Sequence, residues 1–251
     1  MTKLSRRTLI SGLAAAPVAT AAGSALAQEA GGSAAAQPPG VCTLLPQAVE
    51  GPYYFDPKLV RSDITEGRPG LAMQLKLQVI DNGPCTPIAN ARIDVWHADA
   101  GGVYSGYANQ GDNRDTSTEG QAYLRGTQLT DGDGNASFKT VFPGWYPGRT
   151  PHIHVKVFLD EKTLLTGQIY FPTALSTRIY STHPSYSNHP VADTSNDSDG
   201  IFGDGGKDGG GTVVTIDEQP QLIVAALRVG VDRSGKSAKS GGFLDWLLGR
   251  G

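Results

Sequence analysis

The run Pro151-His152-Ile153-His154-Val155-Lys156-Val157-Phe158-Leu159 alternates two chemistries residue by residue, and that alternation selects a β-strand. Side chains two apart in a strand share a face. Ile153, Val155, Val157 and Leu159 therefore make an apolar face, and His152 and His154 stand together on the opposite one. Two adjacent imidazoles over an apolar face are placed as cis metal ligands. The competing reading is a polar strand face that merely carries histidine.

The same period recurs along the chain. Met73, Leu75, Leu77 and Val79 alternate with Gln74, Lys76 and Gln78, as a half-buried strand requires. Residues 91–98, 135–142, 152–159, 164–171 and 212–217 continue the series; 221–231 fits strand or helix by period, and its β-branched residues and place in the series favour strand. Turns rich in Gly, Asp, Asn and Pro separate them, with Asp131-Gly132-Asp133-Gly134 the clearest. From about Val41 onward the pattern reads as β throughout. It predicts an all-β sandwich of mixed and antiparallel sheets with long loops, spanning 41–232. Residues 193–211, dense in Asp and Gly, lack the closing glutamate of an EF-hand and the repeat of a calcium solenoid. They read as a solvated surface loop.

The ends are a different matter. Ser5-Arg6-Arg7-Thr8-Leu9-Ile10, the small apolar stretch after it and Ala25-Leu26-Ala27 read as a twin-arginine export signal over 1–27 with its cleavage site. This predicts passage through the twin-arginine machinery to the periplasm or the exterior, with no stable membrane anchor. Residues 28–40 form a small-residue linker. The tail 233–251 ends in an apolar FLDWLLGR whose order the sequence leaves open. Loss of 1–27, which carries Lys3, Arg6 and Arg7 and no acid, takes the formal net charge from −3 to −6. With no basic run, nucleic acid is excluded as a partner. Cys42 and Cys85 are the only cysteines, and an isolated pair in an oxidising compartment favours one disulfide over two buried thiols.

Tyr104 and Tyr146 add two phenols to the two imidazoles. Phenolate is a hard anionic donor, so a pair of them favours a trivalent ion over zinc or copper(I), and Fe(III) over Fe(II). The alternative is that both tyrosines simply pack.

Four segments resemble the intradiol ring-cleavage dioxygenases of the protocatechuate and catechol dioxygenase type. They are Glu50-Gly51-Pro52-Tyr53-Tyr54; Asp94-Val95-Trp96-His97-Ala98 with Gly102-Val103-Tyr104-Ser105; Thr130-Asp131-Gly132-Asp133-Gly134 with Phe138, Pro143-Gly144 and Tyr146; and Arg149-Thr150-Pro151-His152-Ile153-His154. The resemblance implies one ferric ion per chain held by Tyr104, Tyr146, His152 and His154. It also implies cleavage of a catechol by O2 to a muconate-type diacid, with no external reductant. Tyr146 matches the tyrosine that leaves the metal and takes up a catechol proton. Arg149 matches an arginine kept against the substrate ring, and Gln168 a glutamine that orients substrate. Pro52 and Tyr53 fall where substrate is bound. His97 reads as structural, and His183 and His189 as surface residues.

Only Pro147–Pro151 separate Tyr146 from His152, fewer residues than in familiar members, so one pocket wall should be low and larger ring substituents tolerated. The N-terminal helical dimerisation segment of catechol 1,2-dioxygenases has no counterpart, which leaves a homo-oligomer open. Two other classes compete. A transthyretin-like or carboxypeptidase-regulatory-like binding module shares the T-D-x-D-G turn but has no use for the Tyr and His set. A copper or zinc enzyme built on the histidine pair leaves the tyrosines and Arg149 unexplained.

Overall fold

The computed structural model describes residues 42–56, 58–189, 191–206 and 209–235. The expected export signal and linker and the apolar end of the tail lie outside the described residues. Among those described, strands follow in the order β1 (Ala72–Asp81), β2 (Thr86–Pro87), β3 (Arg92–Trp96), β4 (Arg125–Leu129), β5 (Asn135–Val141), β6 (His152–Leu159), β7 (Lys162–Tyr170), β8 (Thr215–Gln219) and β9 (Leu222–Val231). Helices α1 (Thr173–Thr182) and α2 (Gly200–Gly203) fall between β7 and β8.

Two sheets result. One runs β2-β1-β9-β8 with β5 also on β1, and is mixed because β1 and β9 are parallel. The other runs β4-β3-β6-β7, antiparallel throughout. Their apolar faces share one core: Leu75, Leu77, Phe138, Ala225 and Val229 from the first sheet, and Ile93, Val95, Ile153, Val155, Val157 and Ile169 from the second. Burying each large aliphatic of this set contributes about 1.5–3 kcal/mol. This is the all-β sandwich expected of the alternating pattern.

Three readings need correction. The chain is not β throughout: α1 sends Leu175, Ile179 and Tyr180 into the core, an i, i+4 spacing hidden among β-branched neighbours. β4 was not foreseen, because Arg125-Gly126-Thr127-Gln128-Leu129 has no apolar alternation. Segment 193–211 is not simply a solvated loop. It contains a 3-10 turn (Asn196–Ser198) and α2, and it buries Asn196, Asp199 and Phe202.

A disulfide joins Cys42 to Cys85, tying the start of the domain to the turn between β1 and β2. Closing a loop over a sequence separation of 43 removes unfolded-state entropy. The Cys42→Ser/Cys85→Ser protein is expected to lose about 2–4 kcal/mol of stability, read from urea unfolding, and to keep its activity at low temperature.

Candidate metal centre

Strand register assembles the site on the outer face of the second sheet. Trp96 of β3 pairs with His154, His154 with Gln168 of β7, and His152 with Tyr170. Because side chains of paired residues share a face, these five stand together without any loop contribution. The Trp96 and His154 rings stack at 4.7 Å, and the two histidine rings lie 4.9 Å apart.

Loops bring the phenols. Tyr104 follows β3 and Tyr146 follows β5, and the two loops meet backbone to backbone. A Cβ on Gly102 (φ +78°) would lie 2.1 Å from the Trp145 carbonyl oxygen, so only glycine fits there. Asp99 braces the same junction. Its carboxylate accepts from Gly101 and Val103 N–H and pairs with Arg68, while its carbonyl accepts from Gly144 N–H at 3.0 Å. The segment around Gly51 (φ +73°) crosses over His154, where a Cβ would touch His154 Cε1 at 3.4 Å. A 2.5 Å ion pair from Lys156 to Glu50 holds that segment down. Tyr53 then stacks on Tyr104 at 4.8 Å, and Pro52 is exposed beside it.

The four candidate ligands converge. His152 Nε2 lies 3.0 Å from the Tyr146 hydroxyl and 3.4 Å from that of Tyr104. His152 Nδ1 donates to the Thr150 carbonyl at 2.7 Å, which sets the tautomer and leaves Nε2 with its lone pair toward the phenols. His154 Nδ1 is buried without a partner. Burial, reinforced by Arg149, pushes the His152 imidazole down to about 3, and burial also holds His154 well below its ordinary value. Both are therefore neutral, as ligation requires, at physiological pH. Burial pushes the Tyr104 and Tyr146 phenols up, with the Arg149 cation opposing the rise at Tyr146. Two neutral imidazoles and two phenols that ionise only beside a strong cation are a donor set suited to a trivalent ion. Among the described residues no cluster of three His, Cys, Asp or Glu offers an alternative metal site.

Arg149 closes one side. Its Nη2 donates to Gln168 Oε1 at 2.5 Å, its Nη1 lies 3.4 Å from the Tyr146 hydroxyl, and its Nε donates to Asp199 at 2.9 Å. Tyr170 also donates to Gln168 Oε1, at 2.9 Å. Asp199, Asn196 and Tyr170 went unnoticed in the sequence. Asp199-Gly200 before an apolar pair does carry a helix-capping signal, but nothing local to it points to an arginine 50 residues away.

The remaining histidines are accounted for. His97 spends both nitrogens, one on the Ala98 carbonyl at 2.8 Å and one on Thr140 Oγ1 at 2.7 Å. His183 caps the turn at Pro184–Tyr186. His189 is not a plain surface residue: it stacks on Trp145 at 3.9 Å and pairs with Asp112. Burial pushes the His97 imidazole down to about 4 from an ordinary 6.5. Above pH 6.5 both folded and unfolded states are neutral there. Below it the unfolded chain takes a proton that the folded one refuses, so stability falls by up to about 1.4 kcal/mol per pH unit until near pH 4. His97→Asn should flatten the urea-midpoint profile between pH 6.5 and 4.5 relative to wild type.

A cavity of about 760 Å³ lies on the outer face of the first sheet, lined by Gln74, Lys76, Gln78, Ser137 and Arg228 among others. It includes none of the four donors, so convergence of ligand atoms, not cavity size, marks the site. Among the described residues no helix is long and apolar enough to cross a membrane.

A β-sandwich whose loops bring two phenols onto the two imidazoles of one strand is shared with known ring-cleaving dioxygenases. A family model for dioxygenases matches residues 49–179, just over half of the chain. An intradiol ring-cleavage dioxygenase from Tetranychus urticae is 32% identical, with a TM-score of 0.70 over 80% of this chain and 100% of that one. The chain belongs to the intradiol ring-cleavage dioxygenase family. The dioxygenase domain of a carbohydrate-binding fusion protein from Streptomyces sp. SirexAA-E is 26% identical, with a TM-score of 0.55 over 75% of this chain and 98% of that one. The protocatechuate 3,4-dioxygenase beta chain of Burkholderia cepacia is 32% identical over 127 residues, 47% of this chain and 52% of that protein. The chain spans about half the length of the curated relatives it matches.

Proposed function

We propose that this dioxygenase opens a catechol ring between its two hydroxylated carbons, using O2 and one ferric ion per chain, to give a muconate-type diacid. The observation that carries the reading is the convergence of the Tyr104 and Tyr146 hydroxyls on the bare Nε2 of His152. Tyr104, Tyr146, His152 and His154 would hold the ion, which when bound would supply Lewis acidity favouring loss of the catechol protons and a one-electron redox capacity that opens the ring to O2.

The chain's own residues do the rest. Tyr146, in the loop beside Arg149, would hold a phenolate beside the ion and take up one catechol proton at that oxygen, ending as the neutral phenol. Arg149 holds a fixed cation where negative charge grows on the ring oxygens, a preorganised role needing no reorientation during reaction. Gln168, pinned by Arg149 and Tyr170 at its oxygen and by the Val49 carbonyl at its nitrogen, keeps one amide N–H for substrate. Tyr53 supplies an aromatic wall with Pro52 at its rim. With the export signal, the reaction belongs outside the cytoplasm.

Metal analysis with a visible spectrum and product identification tests this. About one iron per chain, a broad charge-transfer band and a ring-opened diacid are expected. A colourless zinc protein unchanged by added iron, or a yellow semialdehyde product, would refute it.

A further inference from the structure

Arg125 is 1% exposed, and among the described residues no other lysine or arginine is buried. Strand register puts it on the site face: Arg125 of β4 pairs with Trp96, Trp96 with His154, and His154 with Gln168. Its hydrogen bonds all go to neutral oxygens. Nε donates to Ser105 Oγ and Nη2 to the Ser105 carbonyl, both at 2.8 Å, and Nη1 donates to the Tyr53 carbonyl at 2.6 Å. The Phe55 and Tyr107 ring centres lie 4.4 and 5.6 Å from the guanidinium, and that of Tyr104 lies 6.0 Å away. Among the described residues no carboxylate pairs with it.

A cation taken out of water with no counter-ion is strongly destabilising unless an anion forms beside it. Burial pushes the Arg125 guanidinium down to about 10 from an ordinary 12.5, so it stays charged at neutral pH. The groups near enough to answer that charge are three phenols: Tyr104, Tyr107 and Tyr123. Tyr107 donates its hydroxyl to the Tyr54 carbonyl at 2.9 Å and is a neutral phenol there. Tyr123 lies under Arg68, a cation already paired with Asp99. Tyr104 is the phenol that becomes an anion when the ion binds, under the function proposed above. The same guanidinium also grips Tyr104 mechanically. It holds the next residue, Ser105, at two atoms, and it holds Tyr53, whose ring stacks on that of Tyr104 at 4.8 Å.

We propose that Arg125 is a positioning residue for the Tyr104 donor. It clamps the Tyr104–Ser105 step against Tyr53, and its unpaired charge draws electron density back from the Tyr104 phenolate, which keeps the bound ferric ion easier to reduce. The inference rests on the function proposed above and deepens it, because the capacity of the ion to take electron density from substrate is the property Arg125 sets. A unit charge this close, at an effective dielectric of about 20, shifts such an equilibrium at least about tenfold, which is about 59 mV for a one-electron couple.

Charge and clamp are separable by substitution. Arg125→Lys keeps the charge and loses the planar fork, whereas Arg125→Gln keeps an amide donor and loses the charge. The substrate-free, iron-loaded proteins are compared by metal analysis, visible spectrum and spectroelectrochemical titration of the iron. Arg125→Gln is expected to favour the ferric form at least about tenfold, a potential lower by about 59 mV or more, and to move the charge-transfer band to longer wavelength. Arg125→Lys should stay within about twofold of wild type in the same equilibrium, with its band unmoved. A clamp without an electrostatic role would shift the two variants together. If Arg125→Gln does not fold, Ser105→Asp leaves Arg125 in place and sets a carboxylate where the Ser105 hydroxyl accepts from Nε. It should shift potential and band in the same direction. A folded charge-cancelling variant that matches wild type, a shift to higher potential, or lysine and glutamine variants that move together would overturn the proposal. Wild type that takes up no iron sinks the dioxygenase reading and this proposal with it. Wild type that binds iron and opens catechol, while the variants share its potential, sinks the role of Arg125 alone.

Discussion

Tyr104→Phe and Tyr146→Phe are expected to fail in different ways, and the difference follows from where each phenol sits. Tyr104 is buried between the Tyr53 ring and the Tyr146 ring, with its backbone tied by Gln110 and Thr118, and has no room to swing away. Under the proposed function, its removal takes away an anionic donor that stays in place throughout. Iron retention should drop at least about 10–100-fold, the range that even loss of a supporting partner costs, and the charge-transfer band should shift without substrate. Tyr146 lies in a short Pro/Gly loop beside Arg149. Tyr146→Phe should keep substantial iron and colour but slow catechol deprotonation, lowering kcat by about 10²–10⁴, the share of a positioned general base. Stopped-flow spectra with catechol distinguish the two. A Tyr146→Phe protein that binds and cleaves catechol like wild type would rule out ligand exchange at this residue.

Arg149→Ala should leave iron content and colour close to wild type, since none of the four donors changes. It should nonetheless lower kcat by about 10²–10³, the usual loss when a fixed group facing developing charge is removed. The effect should fall on kcat and kcat/KM together, with KM little altered, because the interaction strengthens as charge grows on the ring oxygens. A rise in KM alone would assign Arg149 to ground-state binding. The variant also strips Asp199 of its cation, but the N–H groups of Thr150, Ile201 and Phe202 keep that carboxylate satisfied. The fold should therefore survive for the kinetic measurement.

Much of this site can be read in the one-dimensional chain because its chemistry is local in sequence. The period of two in His152–Leu159 separates the two imidazoles from the core side chains, and Arg149 and Tyr146 lie within six residues of His152. Periodicity of that kind is a backbone property, so the sandwich and most of its strands were legible in the same way. β4 escaped because its antiparallel pairing with β3, not its own pattern, makes it a strand. α1 escaped because its β-branched residues mask a helical spacing.

What the tertiary structure alone decided is which distant residues complete the site. Trp96, Gln168 and Tyr170 reach the histidines through strand register, and register is set by pairing and core packing across the whole sheet. Asp199 and Asn196 sit in a stretch whose composition marks it as solvated, yet it folds inward. There the backbone N–H groups of α2 and the Arg149 guanidinium satisfy a buried carboxylate that could not otherwise leave water. A charge buried because its partner waits fifty residues away leaves no local trace. The two phenols and two imidazoles that converge were therefore legible in the sequence, whereas the groups that fix their charge and orientation appeared only once the chain had closed on itself.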